Sequence, residues 1–177
     1  MTECCPTETF HLESDYMKKD IRIRIVEESD VPALIEWFSH NYSDNLEAAK
    51  AQFKFPRVNF LATHSDDIAG FITIGMSLEK NMPYIKTLEV FKPYRRRGVA
   101  TRLMDVAEDH IAQNMGGEVV LWVPLNEKFG PAQRLYAKRG YIPDGSGALK
   151  DGIPIKRGET VTFDNVLLCL VKRLKSS

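Results

Sequence analysis

The sequence predicts a mixed α/β (α+β) fold on three observations. Ile21, Ile23 and Ile25 alternate with Arg22 and Arg24, the period-two signature of a strand with one face buried. A strand-like run, Leu88-Glu89-Val90-Phe91, leads through a basic turn, Arg95-Arg96-Arg97-Gly98-Val99-Ala100, into residues at helical spacing. An apolar run, Val119-Val120-Leu121-Trp122-Val123, then follows Gly116-Gly117 and reads as a buried strand.

Residues 1–20 are polar and weakly patterned, so a tail or arm is expected there, with a single domain over 21–177. After the first strand, Ser29 or Asp30 is placed to cap a helix that takes Pro32 in its first turn and Ala33, Leu34, Trp37 and Phe38 on its apolar face. A second helix is predicted over 46–53. Residues 60–63 and 68–74 flank a polar stretch, His64-Ser65-Asp66-Asp67, in the manner of a hairpin, and a third strand is predicted over 84–91. The next helix, 100–115, places Ala100, Leu103, Met104, Ala107 and Ile111 on one face and Arg102, Asp105, Glu108 and Asp109 on others. Gly116-Gly117 ends it, and a strand follows over 118–123. Pro131 opens a short helix to Arg139, Gly140 sits where a left-handed cap is expected, and Tyr141 starts a returning strand. Residues 144–164, rich in Gly, Lys and Asp, are expected to form a long irregular connection before a strand over 166–171.

At 177 residues with 44% hydrophobic content, the chain can bury a proper core. Its formal net charge of zero, with both signs interspersed, gives no global field for nucleic acid or an anionic membrane. No window approaches the roughly 20 apolar residues of a membrane-spanning helix, and no leader is evident, so a cytoplasmic protein is expected. Cys4, Cys5 and Cys169 suit neither a disulfide framework nor a metal site, and His11, His40, His64 and His110 are scattered, so no metal is predicted. His110 is expected on the exposed side of its helix, and His40 at the surface.

The basic turn is the chemically informative segment. A helix begins with N–H groups that lack intrahelical acceptors and with the positive end of its dipole, so a strand-to-helix turn can hold a phosphate. Gly98 permits close approach to the backbone. No Gly-Lys-Ser/Thr follows, and a single glycine makes no dinucleotide fingerprint.

The order strand, Arg-x-x-Gly-x-Ala, helix resembles the coenzyme A-binding motif of the GCN5-related N-acetyltransferase (GNAT) family. The element order also resembles that family's over about 21–174. The resemblance implies an acyl-CoA N-acyltransferase fold, a mostly antiparallel central sheet flanked by helices, with acetyl-CoA as co-substrate. It implies that the backbone of Leu88, Glu89 and Val90 pairs with pantetheine. The pyrophosphate would be held by Arg95, Arg96, Arg97, Gly98, Val99, Ala100 and Thr101, chiefly through backbone amides. Tyr136 matches the tyrosine that many members use towards the departing thiolate, and a phenol of pKa about 10 can hydrogen-bond or protonate a thiolate whose acid has pKa about 8.5. Glu89 is the carboxylate nearest in sequence to the reacting end and is a candidate base. Where the family often has an asparagine seven residues before the tyrosine, this chain has Phe129, and Asn126 is out of register. The implied reaction is direct attack of a primary amine, expected to be a small molecule, in a ternary complex. A protein or peptide acceptor and a non-catalytic acyl-CoA-binding module are the alternatives. The apolarity of the strand over 166–171 suits either pairing across a two-fold axis in a homodimer or an internal position in the sheet.

Overall fold

The computed structural model of the chain describes residues 20–42, 47, 50–51, 53, 57–65 and 67–175. The alternating Ile and Arg residues form strand β1 (Ile21–Ile25), which pairs antiparallel with β2 (Val58–His64), from Ile21 opposite His64 to Ile25 opposite Phe60. Next come β3 (Asp67–Ser77) and β4 (Met82–Val90), then β5 (Glu118–Pro124), β6 (Ile142–Lys150), β7 (Ile153–Pro154) and β8 (Val166–Arg173). Helices α1 (Val31–Tyr42), α2 (Val99–Asn114) and α3 (Gly130–Lys138) punctuate them among the described residues. The hydrogen-bonded strand order is β1-β2-β3-β4-β5-β8-β6-β7, with β4 and β5 parallel and the pairs β1/β2, β5/β8, β8/β6 and β6/β7 antiparallel. The architecture is therefore the expected α+β sheet with flanking helices. The second helix expected over 46–53 falls largely outside the described residues.

Contacts divide the chain into two units that alternate in sequence, Met1–Thr73 with Thr87–Val106, and Ile74–Lys86 with Ala107–Ser177. In the first, Leu34 of α1, Leu61 of β2 and Phe71 of β3 are fully buried, and Trp37, Phe38, Phe53 and Phe91 pack against them. Each such buried side chain contributes about 1.5–3 kcal/mol of transfer free energy. The ring of Trp37 stacks on Phe91 at 4.5 Å between centroids and meets Phe71 edge-on at 5.6 Å, so the aromatic core grips the residue immediately after β4. Asp30 works in the turn ahead of α1: its carboxylate accepts from the Glu27 N–H at 2.8 Å and from the Arg24 fork at 2.6 and 2.8 Å. The Arg24 contact holds the Asp30 carboxyl below its ordinary range.

Gly70 of β3 lies under β4. A Cβ at that position would stand 2.3 Å from the Glu89 carbonyl oxygen, so only glycine lets the two backbones approach this closely. The Phe91 N–H donates to the Ala69 carbonyl at 2.9 Å and ties the end of β4 to the same stretch of β3.

In the second unit, β5 and β8 pair over seven residues, from Glu118 opposite Arg173 to Pro124 opposite Leu167. Residues 144–150 belong to β6, which corrects the expected irregular connection over 144–164. Here β6 pairs with β8 at Ile142 and Pro143, breaks register, and resumes at Ala148. The intervening Asp144-Gly145-Ser146-Gly147 carries positive φ at both glycines and folds on itself, Asp144 accepting from the Ser146 N–H at 2.9 Å and its hydroxyl at 2.6 Å. A Gly-rich bulge reads as a loop in sequence although it interrupts a strand. Lys80 adds an ion pair to Asp144 at 2.8 Å, and burial together with Asp144 pushes the nearby Cys169 thiol up to about 12. Cys169 is fully buried in β8 and is an inert core residue.

Glu108 also departs from expectation. Instead of lying on a polar face, it is 7% exposed, and Arg139 donates to both its oxygens at 3.0 Å. Lys172 donates to Oε2 at 2.5 Å. His110 is half-buried rather than exposed, whereas His40 is exposed with Nδ1 2.9 Å from the Glu36 carbonyl oxygen.

Candidate active site

The turn after β4 is built from strained and anchored pieces. Lys92–Tyr94 makes one 3₁₀ turn around Pro93, closed by the Tyr94 N–H on the Phe91 carbonyl at 2.8 Å. The Tyr94 hydroxyl donates to Asp67 at 3.0 Å, and its ring lies 5.7 Å from that of His64. Burial and the Asp67 contact raise the Tyr94 pKa, so this phenol stays a donor. These contacts fix the entry to the basic segment.

Within that segment Arg96 has φ +64° and Gly98 has φ +79°. A turn that carries left-handed residues can present neighbouring peptide N–H groups on one side of the chain, a concavity that suits an anion. The Gly98 carbonyl accepts the first bond of α2, from the Arg102 N–H at 3.1 Å, and the amides ahead of Arg102 point out of the helix end. Val99 is 1% exposed and anchors that end, with Leu103 and Met104 fully buried behind it. A Cβ on Gly98 would meet no protein atom within 4 Å. The space beside this backbone is open.

The three arginines differ. Arg95 folds back, donating from Nε to the Val90 carbonyl at 2.8 Å and from Nη2 to Glu89 at 3.0 Å, so its charge is engaged at the end of β4. Arg96 is exposed. Arg97 holds Nη1 buried with no hydrogen-bond partner among the described residues. Its guanidinium adds positive charge to the same segment, which favours a phosphate there. Leu88, Val90, Arg95, Arg96, Arg97, Gly98, Val99, Ala100 and Thr101 thus come together in one continuous piece of the first unit, and Glu89 sits among them as the partner of Arg95. The β4 and β5 ladder registers only at Tyr84 with Val120 and at Ile85 with Leu121, ahead of this piece.

Tyr136 belongs to the second unit. It is 8% exposed on α3. Burial pushes the phenol up to about 12. Phe129 stands 39% exposed just before α3, and the Asn126 side chain accepts from the Lys128 N–H at 3.2 Å, closing the turn that leads there. Among the described residues, no three His, Cys, Asp or Glu side chains gather as a metal site.

The sequence profile of the acetyltransferase (GNAT) family matches residues 23–141, which takes in the end of β1, the basic turn and α3. The chain belongs to this family. Among curated relatives, N-alpha-acetyltransferase 30 of Xenopus laevis is 28% identical over 138 residues, 75% of this chain and 45% of the relative. The chain spans less than half the length of the curated relatives it matches. Among solved structures, the ribosomal-protein-S18-alanine N-acetyltransferase of Escherichia coli superposes with a TM-score of 0.67 at 18% identity, covering 89% of this chain and 96% of that one. Arabidopsis thaliana NAA60, in complex with a bisubstrate analogue, gives a TM-score of 0.67 at 21% identity, covering 88% and 99%. These likenesses establish the GNAT fold.

The residues that sequence reasoning missed are Gly70, Glu108 and the cationic partners of Glu108. Glu108 left a signal. It falls four residues after Met104 and three before Ile111, on the apolar stripe of α2, where a carboxylate implies a buried partner.

Proposed function

We propose that the protein is an acetyl-CoA-dependent N-acetyltransferase whose acceptor is the α-amine of a polypeptide. The observation that carries the first half is the pair of left-handed residues, Arg96 and Gly98, leading into the buried N-terminus of α2 with open space beside Gly98. Peptide N–H groups there would hold the pyrophosphate of acetyl-CoA, which supplies the activated thioester. Leu88 and Val90 would offer backbone to the pantetheine arm. Support for a polypeptide acceptor comes from the named activity of the curated relatives, which are N-alpha-acetyltransferases. A small-molecule amine, expected from the sequence, is the competing arm of the test. We place the reaction in the cytoplasm.

Tyr136 is the thiolate-facing group in this reading. A phenol near 12 is a weaker acid than a free thiol near 8.5, so full proton transfer would run uphill by about 3.5 pK units, about 5 kcal/mol. Tyr136 therefore works as a hydrogen-bond donor that steadies the emerging sulfur charge. An alkyl ammonium of pKa about 10.4 must lose a proton before attack. Glu89 is occupied by Arg95, so water is the proposed proton acceptor, and Glu89→Gln tests the alternative.

Mass spectrometry of the purified protein for retained CoA species is the first experiment, followed by thiol release with matched panels of peptides and small amines. Release stimulated by peptides and not by small amines supports the proposal. The reverse pattern transfers it to a small-molecule enzyme, and CoA binding without release under any amine leaves an acyl-CoA-binding module.

A further inference from the structure

Most of the second unit's buried polar chemistry surrounds one aromatic side chain. Tyr141 follows α3 directly and is 4% exposed. The helix ends in a double closure: the Tyr141 N–H donates to the Tyr136 carbonyl at 3.1 Å, the Gly140 N–H donates to the Ala137 carbonyl at 3.0 Å, and Gly140 has φ +84°. These are the two bonds and the left-handed residue of a Schellman motif, whose companion feature is a contact between the side chains at its two ends. Here those side chains are Tyr136 and Tyr141, with ring centroids 5.8 Å apart and planes at 61°.

The far side of Tyr141 is held as firmly. Lys172 Nζ of β8 stands 5.6 Å from its ring centroid and donates to Glu108 of α2. Arg139, at the C-terminal cap of α3, clasps the same carboxylate with both nitrogens. Three elements are thus pinned through one carboxylate around the Tyr141 ring. Its own hydroxyl is buried and makes no hydrogen bond of ordinary geometry among the described residues, but it faces the Glu108 carboxylate, and burial together with that charge holds the phenol well above its ordinary range.

We propose that Tyr141 is a positioning residue for Tyr136: the Schellman closure and the Glu108–Arg139–Lys172 cluster fix the Tyr141 ring, and that ring sets the orientation of the Tyr136 phenol. The inference rests on reading Tyr136 as the donor to the leaving sulfur. The Tyr141 ring packs edge-on against Tyr136 and so bears directly on its angle, and an orientation error of this kind lowers turnover without loosening the cofactor.

The test compares Tyr141→Leu, Tyr141→Phe and Lys172→Met in the native and Tyr136→Phe backgrounds, reading kcat, KM for acetyl-CoA and the NMR signature of Tyr136 ring flipping. Tyr141→Leu is expected to lower kcat about tenfold at unchanged KM in the native background and to cost nothing further once Tyr136 is Phe, with Tyr141→Phe restoring the loss. Equal losses in both backgrounds, or a Tyr141→Phe variant as impaired as Tyr141→Leu, would overturn the proposal. If Tyr141→Leu does not fold, Lys172→Met carries the same comparison with a smaller expected loss, again confined to the native background. Should the unmodified protein release no thiol with any amine, the acetyltransfer reading fails. The ring-flip rate still decides the positioning: slow in the native chain and fast in Lys172→Met is expected, and no difference refutes it.

Discussion

Gly70→Ala perturbs the site from the neighbouring strand, by pressing on the backbone that β4 would offer to the cofactor. The added Cβ would sit 2.3 Å from the Glu89 carbonyl oxygen, 3.1 Å from Val90 Cα and 3.3 Å from the Glu89 carbonyl carbon. All three are backbone atoms, so no side-chain rotation relieves the contact. Restoring an ordinary separation requires β4 to move by about 1 Å, an overpacking that costs about 1–3 kcal/mol. At about 2–4 °C per kcal/mol for a chain of this size, Tm should fall by about 2–12 °C. The displaced backbone is that of Glu89 and Val90, and Arg95 hangs from the Val90 carbonyl and from the Glu89 carboxylate. A shift of this size at a site that must align reactants can cost up to about a hundredfold in kcat/KM. Calorimetry and thiol release on the same preparation measure both effects. A variant with Tm within about 1 °C of the native protein and unchanged kcat/KM would refute the claim that the approach of β3 to β4 sets the site.

Three further outcomes follow from the geometry. Gly98→Ala meets no neighbour but must hold a side chain at φ +79°, so it should destabilise by about 1–2 kcal/mol and abolish retention of CoA species, read by calorimetry and mass spectrometry. Tyr136→Phe should lower kcat about a hundredfold or more with acetyl-CoA affinity unchanged, and undiminished turnover would remove it from the chemistry. Burial pushes the Glu108 carboxyl up, but Arg139 and Lys172 outweigh it and hold the folded-state value below the ordinary one. Its stabilisation is therefore present above about pH 4.3 and lost as pH falls through the lower folded value, so Glu108→Gln should flatten the acid limb of an unfolding titration. At pH 7 the same variant should cost at most about 3–5 kcal/mol, because Arg139 and Lys172 lose their counter-charge.

The segments read correctly from sequence are those whose determinants are local. Ile21 to Ile25 alternate, Gly140 caps α3, and the basic turn carries its own glycine at the position that needs φ +79°. What escaped depends on residues far apart in the chain. Gly70 is required by a carbonyl 19 residues later, and Glu108 is neutralised by Arg139, 31 residues on, and Lys172, 64 residues on. Residues 144–147 misled because two left-handed glycines in a bulge have the composition of a connection while the strand resumes beyond them. Among the candidate site residues, position along the chain was legible from the motif, but side-chain direction was not: Arg95 turns towards its own strand, a choice made by the Glu89 carboxylate and the Val90 carbonyl.

That choice has a kinetic consequence. With Arg95 matched by Glu89, the formal charge of the four residues Glu89, Arg95, Arg96 and Arg97 is +2, and the chain as a whole carries zero. Attraction from such a source fades within a Debye length of about 8 Å at physiological salt. At physiological salt a polyanionic ligand would feel little steering on its approach, and its arrival should quicken in dilute salt, where screening is weaker. Discrimination then falls to short-range amide geometry, where an ill-shaped anion is rejected after collision rather than before it.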